Sequence, residues 1–109
     1  MGAIALSSAA MSQDVRLGQY RGEKSREEFR TFNKLFVAGL KSGLMAYNAV
    51  VAAEGKALFC LPPKLALTTE QAEDIINRTA DEHHFPTDYL ISLVLLTGLE
   101  ETFPCKQPK

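Results

Sequence analysis

The sequence predicts an all-α fold, a small bundle of three main helices (one long N-terminal helix and two shorter C-terminal ones) stapled by one disulfide. Apolar residues recur in three- and four-residue steps over two long stretches. Two S/T-x-x-E/Q capping boxes, at Ser25 and Thr68, each precede such a stretch. No run of alternating apolar and polar residues is long enough to read as a strand. At 109 residues the chain is one domain's worth, and its 46% hydrophobic content can supply a core.

Ala3-Ile4-Ala5-Leu6-Ser7-Ser8-Ala9-Ala10-Met11-Ser12 is small, apolar and uncharged, then gives way to Gln13-Asp14-Val15-Arg16. Ala10 and Ser12 fit the −3 and −1 positions of a small-residue cleavage site, so residues 1–12 read as the back of a secretory signal, although no basic segment precedes them. A disordered alanine-rich terminus is the competing reading. Residues 13–109 then form a single helical domain, opening on a polar lead-in that contains Gly18 and Gly22.

The first main helix should start at the Ser25-Arg26-Glu27-Glu28 box. Phe29, Phe32, Phe36, Leu40, Leu44, Tyr47 and Val51 then mark its core face, and Glu54-Gly55 stops it, with Gly55 in a left-handed C′ conformation. Gly39 and Gly43 lie one turn apart and are candidate helix-packing residues, read first as a tight crossing within the chain. Lys34 and Lys41 argue against a membrane helix, and no membrane span is expected elsewhere, the apolar 90–99 stretch being too short.

Pro62-Pro63 forbids regular helix in the 56–67 segment. Thr68-Thr69-Glu70-Gln71 caps the second helix, whose apolar stripe is Ala72, Ile75, Ile76 and Thr79. Asp81-Glu82-His83-His84 closes it, and Phe85-Pro86-Thr87-Asp88 turns into the last helix. From Tyr89 to Leu99 that helix is apolar nearly all round, which marks it as the central buried helix, with Leu93 and Leu96 in the core and Gly98 interrupting it late. Phe103-Pro104-Cys105 ends it.

Cys60 and Cys105 are the only cysteines. An exported chain meets an oxidising compartment where a lone pair bridges, and such a bridge would close a loop of about 45 residues, worth roughly 4 kcal/mol in the chain-entropy picture. Two free thiols in a cytosolic protein are the alternative.

Net charge is −1, so no basic field exists to hold a phosphate backbone, and nucleic-acid binding is not expected. Residues 1–55 carry seven basic and five acidic side chains (+2), and residues 56–109 carry five and eight (−3). This polarity could orient a partner or a second copy, although two solvated helix faces of opposite sign are the favoured reading. Adjacent helical residues point about 100° apart, so His83 and His84 cannot easily share a metal ion. The i, i+4 spacing of a helical metal pair is absent. No serine sits in a nucleophile elbow or an S-x-x-K motif. The expectation is a protein that is not an enzyme and has no cofactor, with a hydrolase using His83, His84 and a metal as the reading it displaces. Recognition then falls to loops. Phe59, Pro62, Pro63 and Lys64 in one, and Glu82, His83 and His84 in the other, are the candidate partner-binding residues. Plain connectors are the competing reading for each.

The ordered set Gly39-Leu40-Lys41-Ser42-Gly43, Ala46-Tyr47-Asn48-Ala49, Leu58-Phe59-Cys60-Leu61-Pro62-Pro63, Leu67-Thr68-Thr69-Glu70-Gln71 and Phe103-Pro104-Cys105-Lys106 resembles the Rap/Tai family of immunity proteins of type VI secretion. The resemblance covers roughly residues 32–106. It implies a small exported helical protein of the periplasm that binds a toxin delivered by neighbouring bacteria, often a peptidoglycan amidase, and blocks it. It also implies that Cys60 and Cys105 pair, and that a homodimer is among the expected partners. Some relatives have a further cysteine where this chain has Val37, so a second bridge is not expected. A non-catalytic envelope adaptor that self-associates through its long helix is the alternative function.

Overall fold

Glycines and prolines set the breaks in this chain, and among the described residues four helices lie between them. The computed structural model describes residues 15–22 and 27–106. Helix α1 spans Leu17–Gly22, α2 Glu27–Ala52, α3 Thr69–His83 and α4 Ile91–Thr102. No strand occurs among the described residues, only one antiparallel bridge between Arg16 and Leu90. The expected signal remnant, residues 1–12, lies outside the described residues, as does the Ser25 cap.

Helix α2 ends as its sequence requires. Gly55 takes φ +78°, its N–H donates to the Ala52 carbonyl at 2.9 Å, and the Lys56 N–H donates to Val51 at 2.8 Å. That pair of bonds is the Schellman pattern, which satisfies carbonyls the helix leaves open. Helix α3 begins on a complete capping box. The Gln71 N–H donates to Thr68 Oγ1 at 3.0 Å, and the Thr68 N–H donates to Gln71 Oε1 at 2.9 Å.

The segment read as a polar lead-in is part of the core: Val15, Leu17 and Tyr20 are buried. The first N–H groups of a helix lack intrahelical acceptors, and here two helix starts serve one another. Leu17 and Gly18 donate to the carbonyls of Tyr89 and Thr87 at 2.7 and 2.8 Å, and Ile91, at the start of α4, donates to Val15 at 3.0 Å. The Arg16 guanidinium adds a 2.7 Å bond to the Asp88 carbonyl. Gly18 leaves no room for a side chain, since a Cβ there would sit 2.8 Å from Thr87 Cβ.

The core is built where α3 and α4 pack, with Ala72, Ile75, Ile76 and Ala80 against Ile91, Val94, Leu95 and Leu99. Leu93, expected in this core, is 46% exposed, because it lies on the face of α4 opposite Ile91, Val94, Leu95 and Leu99. Leu96 is half-buried. The close helix crossing is at Gly98, where an added Cβ would lie 2.5 Å from Thr79 Oγ1 and collide with Ile75. It is not at Gly39 and Gly43. Among the described residues nothing lies within 4 Å of a Cβ built on either, so the expected intramolecular crossing there is corrected.

Helix α2 lies along α3 on a face that overlaps the expected one but is rotated from it. Only Asn33 and Val37 are fully buried, with Phe36, Leu40, Leu44 and Met45 packed partly against the core. Phe32 and Tyr47, assigned to the core face, are exposed. The apolar arc of α2 is wider than the surface available to cover it. By length and composition α2 could cross a bilayer. Its polar side chains, however, bind it to the body along its length. Asn33 Nδ2 donates to the Tyr20 carbonyl, Lys34 pairs with Glu70 and Glu73 at 3.3 and 3.2 Å, and Lys41 donates to the Leu67 carbonyl at 2.8 Å.

Candidate functional site

Asn48 of α2 fixes the loop that follows the helix. Its Oδ1 accepts from the N–H groups of Leu58 and Phe59, and its Nδ2 donates to the Phe59 carbonyl at 2.8 Å. Phe59 is only 1% exposed. It anchors the loop and is therefore withdrawn from the partner-binding set. The next residue, Cys60, forms the disulfide with Cys105, Cα to Cα 4.9 Å, and its N–H donates to the Phe103 carbonyl at 2.8 Å.

Between these anchors and α3 the chain makes a tight exposed turn. Pro62, Pro63 and Lys64 are all exposed, the Leu65 N–H closes the turn on the Pro62 carbonyl at 3.1 Å, and Lys64 takes φ +76°. Glycine favours that third turn position, and a side chain there costs on the order of 1 kcal/mol. Proline at the preceding position fixes φ and helps hold the conformation. The Lys64 ammonium thus stands on a turn that is constrained at both ends.

Glu82, His83 and His84 are also exposed. His83 Nε2 meets Glu101 at 2.8 Å, and its ring stacks on Phe85, which stacks on Tyr89, with centroids 4.9 and 4.4 Å apart. His84 is the left-handed C-cap of α3 at φ 55°, its N–H donating to Ala80. The two candidate loops are tied to the same end of α4, one through Glu101 and the other through Phe103. Between the proline turn, α3 and that end lies a groove of about 360 Å³. Leu65, Leu67, Ile75 and Phe103 give it apolar walls, and Asp74 and Arg78 give it charge. Arg78 is held in place by a 2.7 Å bond to Thr102 Oγ1. Leu65, Arg78 and Phe103 were missed as site residues; nothing in their spacing distinguishes them from ordinary helix-end and loop positions.

Among the described residues no group of three or more histidine, cysteine or acidic side chains is placed to share a metal ion. The cysteines, being bridged, offer no thiolate. A second polar cluster joins α1, α2 and α3. Tyr20 Oη donates to Glu73 Oε2 at 3.0 Å, and burial together with the Glu73 carboxylate raises its pKa, keeping the phenol protonated. The Glu70 carboxyl is held below its ordinary range by its own backbone N–H at the α3 start and by Lys34. Every partner in this cluster lies within the chain, and its bonds dock the helices.

No family model, no curated protein and no solved structure matches this chain.

Proposed function

We propose that this chain is a non-catalytic inhibitor of the immunity type, which binds a secreted cell-wall hydrolase, a peptidoglycan amidase in the first instance, and occludes its active site. The observation that carries this reading is the turn at residues 62–65: exposed, bridged at Cys60 and holding Lys64 in a left-handed backbone. A loop ordered before binding gives up little entropy on binding, which suits it to enter a cleft. The neighbouring groove, with Arg78 and Asp74 at its edge, supplies the apolar contact around it. The disulfide favours an oxidising, exported environment, and the periplasm is the compartment the Rap/Tai resemblance adds.

The test is calorimetry of the oxidised protein against the product of the adjacent open reading frame, with the hydrolase activity of that product followed in parallel. The expected result is tight binding that abolishes hydrolysis, with Lys64→Glu weakening binding at least tenfold at unchanged melting temperature. Absence of binding, or binding indifferent to both Lys64→Glu and Arg78→Glu, would refute it.

A further inference from the structure

Gln71, Asp74, Ile75 and Arg78 recur at three- and four-residue intervals, so one face of α3 forms a wall of the groove beside the proline turn. From Gln71 to Arg78 this wall runs about 10 Å, the length of roughly three extended residues. Its apolar part is Ile75, joined by Leu65, Leu67 and Phe103. Its polar part has donors left over. The Gln71 Oε1 is turned to the Thr68 N–H at 2.9 Å, and its Nε2 meets no acceptor among the described residues. Arg78 Nη2 donates to Thr102 Oγ1 at 2.7 Å. The rest of the guanidinium and the Thr102 hydroxyl proton have no acceptor there either.

On α1 and α2 three cations are neutralised within the chain: Arg21 pairs with Asp81, Arg30 with Glu27, and Lys34 with Glu70 and Glu73. Around the groove they are not. Asp74 stands one turn before Arg78, a spacing at which helical ion pairs form, yet the guanidinium reaches to α4 instead. Lys64, next to Leu65, and Lys106, three residues past Phe103, are exposed and pair with no carboxylate among the described residues. Three cations thus flank an apolar groove whose lining holds one carboxylate.

We infer that this groove takes an extended acidic segment of the partner protein, with a leucine-sized side chain against Ile75 and Phe103 and a glutamate two residues away on Arg78 and Thr102. The inference rests on the inhibitor reading for the existence of that partner, and it adds what the partner presents. Charge complementarity selects the guest. A purely apolar segment would cover the guanidinium and leave its donors unmet, which is costly, and a basic one would be repelled. A guanidinium fixed at one corner receives a carboxylate through parallel bonds, and the Thr102 hydroxyl adds another. In an extended segment residues two apart face the same way, about 6.6 Å from each other. That spacing sets one side chain on the apolar lining and the next but one on Arg78. Asp74 accepts a main-chain N–H of the segment, a group that a helical guest keeps for its own bonds.

The test is a proton–nitrogen correlation NMR titration of the oxidised full chain with acetyl-Ser-Glu-Ser-Leu-Ser-Glu-Ser-amide. This peptide carries an acidic residue two positions to either side of its leucine and so serves both strand directions. Saturable shifts are expected at the amides of Leu65, Ile75 and Phe103, with a dissociation constant on the order of 1 mM. Binding should weaken at least about fivefold when both glutamates become glutamine, or when the leucine becomes serine. Arg78→Gln should weaken it as much at unchanged melting temperature, because that side chain is exposed. The proposal is overturned by an absence of shifts up to about 10 mM, by equal shifts from the glutamine or the serine peptide, or by equal shifts from sodium phosphate, which would mark a site for any small anion. The two readings fail separately. Hydrolase binding that ignores Arg78→Gln, with no response to the peptide, removes the groove and leaves the turn as the contact. A peptide response without hydrolase binding removes the inhibitor reading and supports the groove's choice of an acidic segment.

Discussion

The side chain of Asn48 completes the backbone hydrogen bonding of Phe59, donating to its carbonyl at 2.8 Å and accepting from its N–H at 3.3 Å. A helix side chain thereby replaces the strand or turn partner the loop lacks, at a residue whose own ring is buried. Replacing Asn48 with Leu keeps the size but leaves buried donors and an acceptor unmet, each costing about 1–3 kcal/mol. Urea unfolding should show a loss of at least about 2 kcal/mol, and Asn48→Asp should recover part of it, because it retains an acceptor for the Leu58 and Phe59 N–H groups. Equal losses in the two variants would show that the amide does not organise the loop.

Two glycines in helices should respond with opposite signs. At Gly98 a methyl group meets Thr79 and Ile75, and overpacking of this kind costs about 1–3 kcal/mol. At Gly43 nothing described lies within 4 Å, so alanine gains about 1 kcal/mol of helix propensity. Thermal melts of Gly98→Ala and Gly43→Ala at low micromolar concentration should therefore move in opposite directions.

The same pair marks how far sequence reading reached. Interactions between near neighbours were legible: the Thr68–Gln71 box, the Gly55 terminator and the break at Pro62-Pro63 all follow from chemistry within five residues. Periodicity showed that α2 is amphipathic. It could not show which part of a wide apolar arc faces the body, because that depends on how much of α3 is there to cover it. Val15, Leu17 and Tyr20 were missed for a related reason, since they bond to residues 76, 72 and 53 positions later. At the candidate site the cysteines and prolines were visible by type. Phe59 was misplaced because an aromatic beside a loop can serve as anchor or as contact, and only Asn48 decides which.

Helix α4 offers a test of where the core lies. Leu95 and Leu99 are fully buried, whereas Leu93 is nearly half exposed. Leu95→Ala and Leu99→Ala should each cost about 2–5 kcal/mol, and Leu93→Ala less than about 1 kcal/mol. Denaturant midpoints of the three variants check the ranking, and a comparable loss at Leu93 would contradict the placement of α4.

The Cys60–Cys105 bridge closes a separation of 45 residues, so its loss frees a long loop in the unfolded chain. The Cys60→Ser, Cys105→Ser double variant should be less stable by up to about 4 kcal/mol. Asn48 and the Cys60–Phe103 backbone bond hold the same loop independently, so the circular dichroism spectrum of the variant at 10 °C should remain helical. If stability is unchanged by the double substitution, the unfolded chain gains nothing from the missing link.

Stability should fall at both pH extremes, for different groups. Glu70 titrates below its ordinary value of 4.5 in the folded chain, so its contribution is present above that pH and lost as pH falls through the folded value. Lys34 is raised above 10.5 by Glu73 and Glu70. Tyr20 is raised above 10.0 by burial and by Glu73. Their contributions are present below those values and are lost as pH climbs past them. Glu70→Gln should flatten the acid limb of a plot of melting temperature against pH and leave most of the alkaline limb in place. Tyr20→Phe should flatten the alkaline limb alone. An alkaline limb unaltered by Tyr20→Phe would mean that deprotonation of the buried phenol does not drive the loss there.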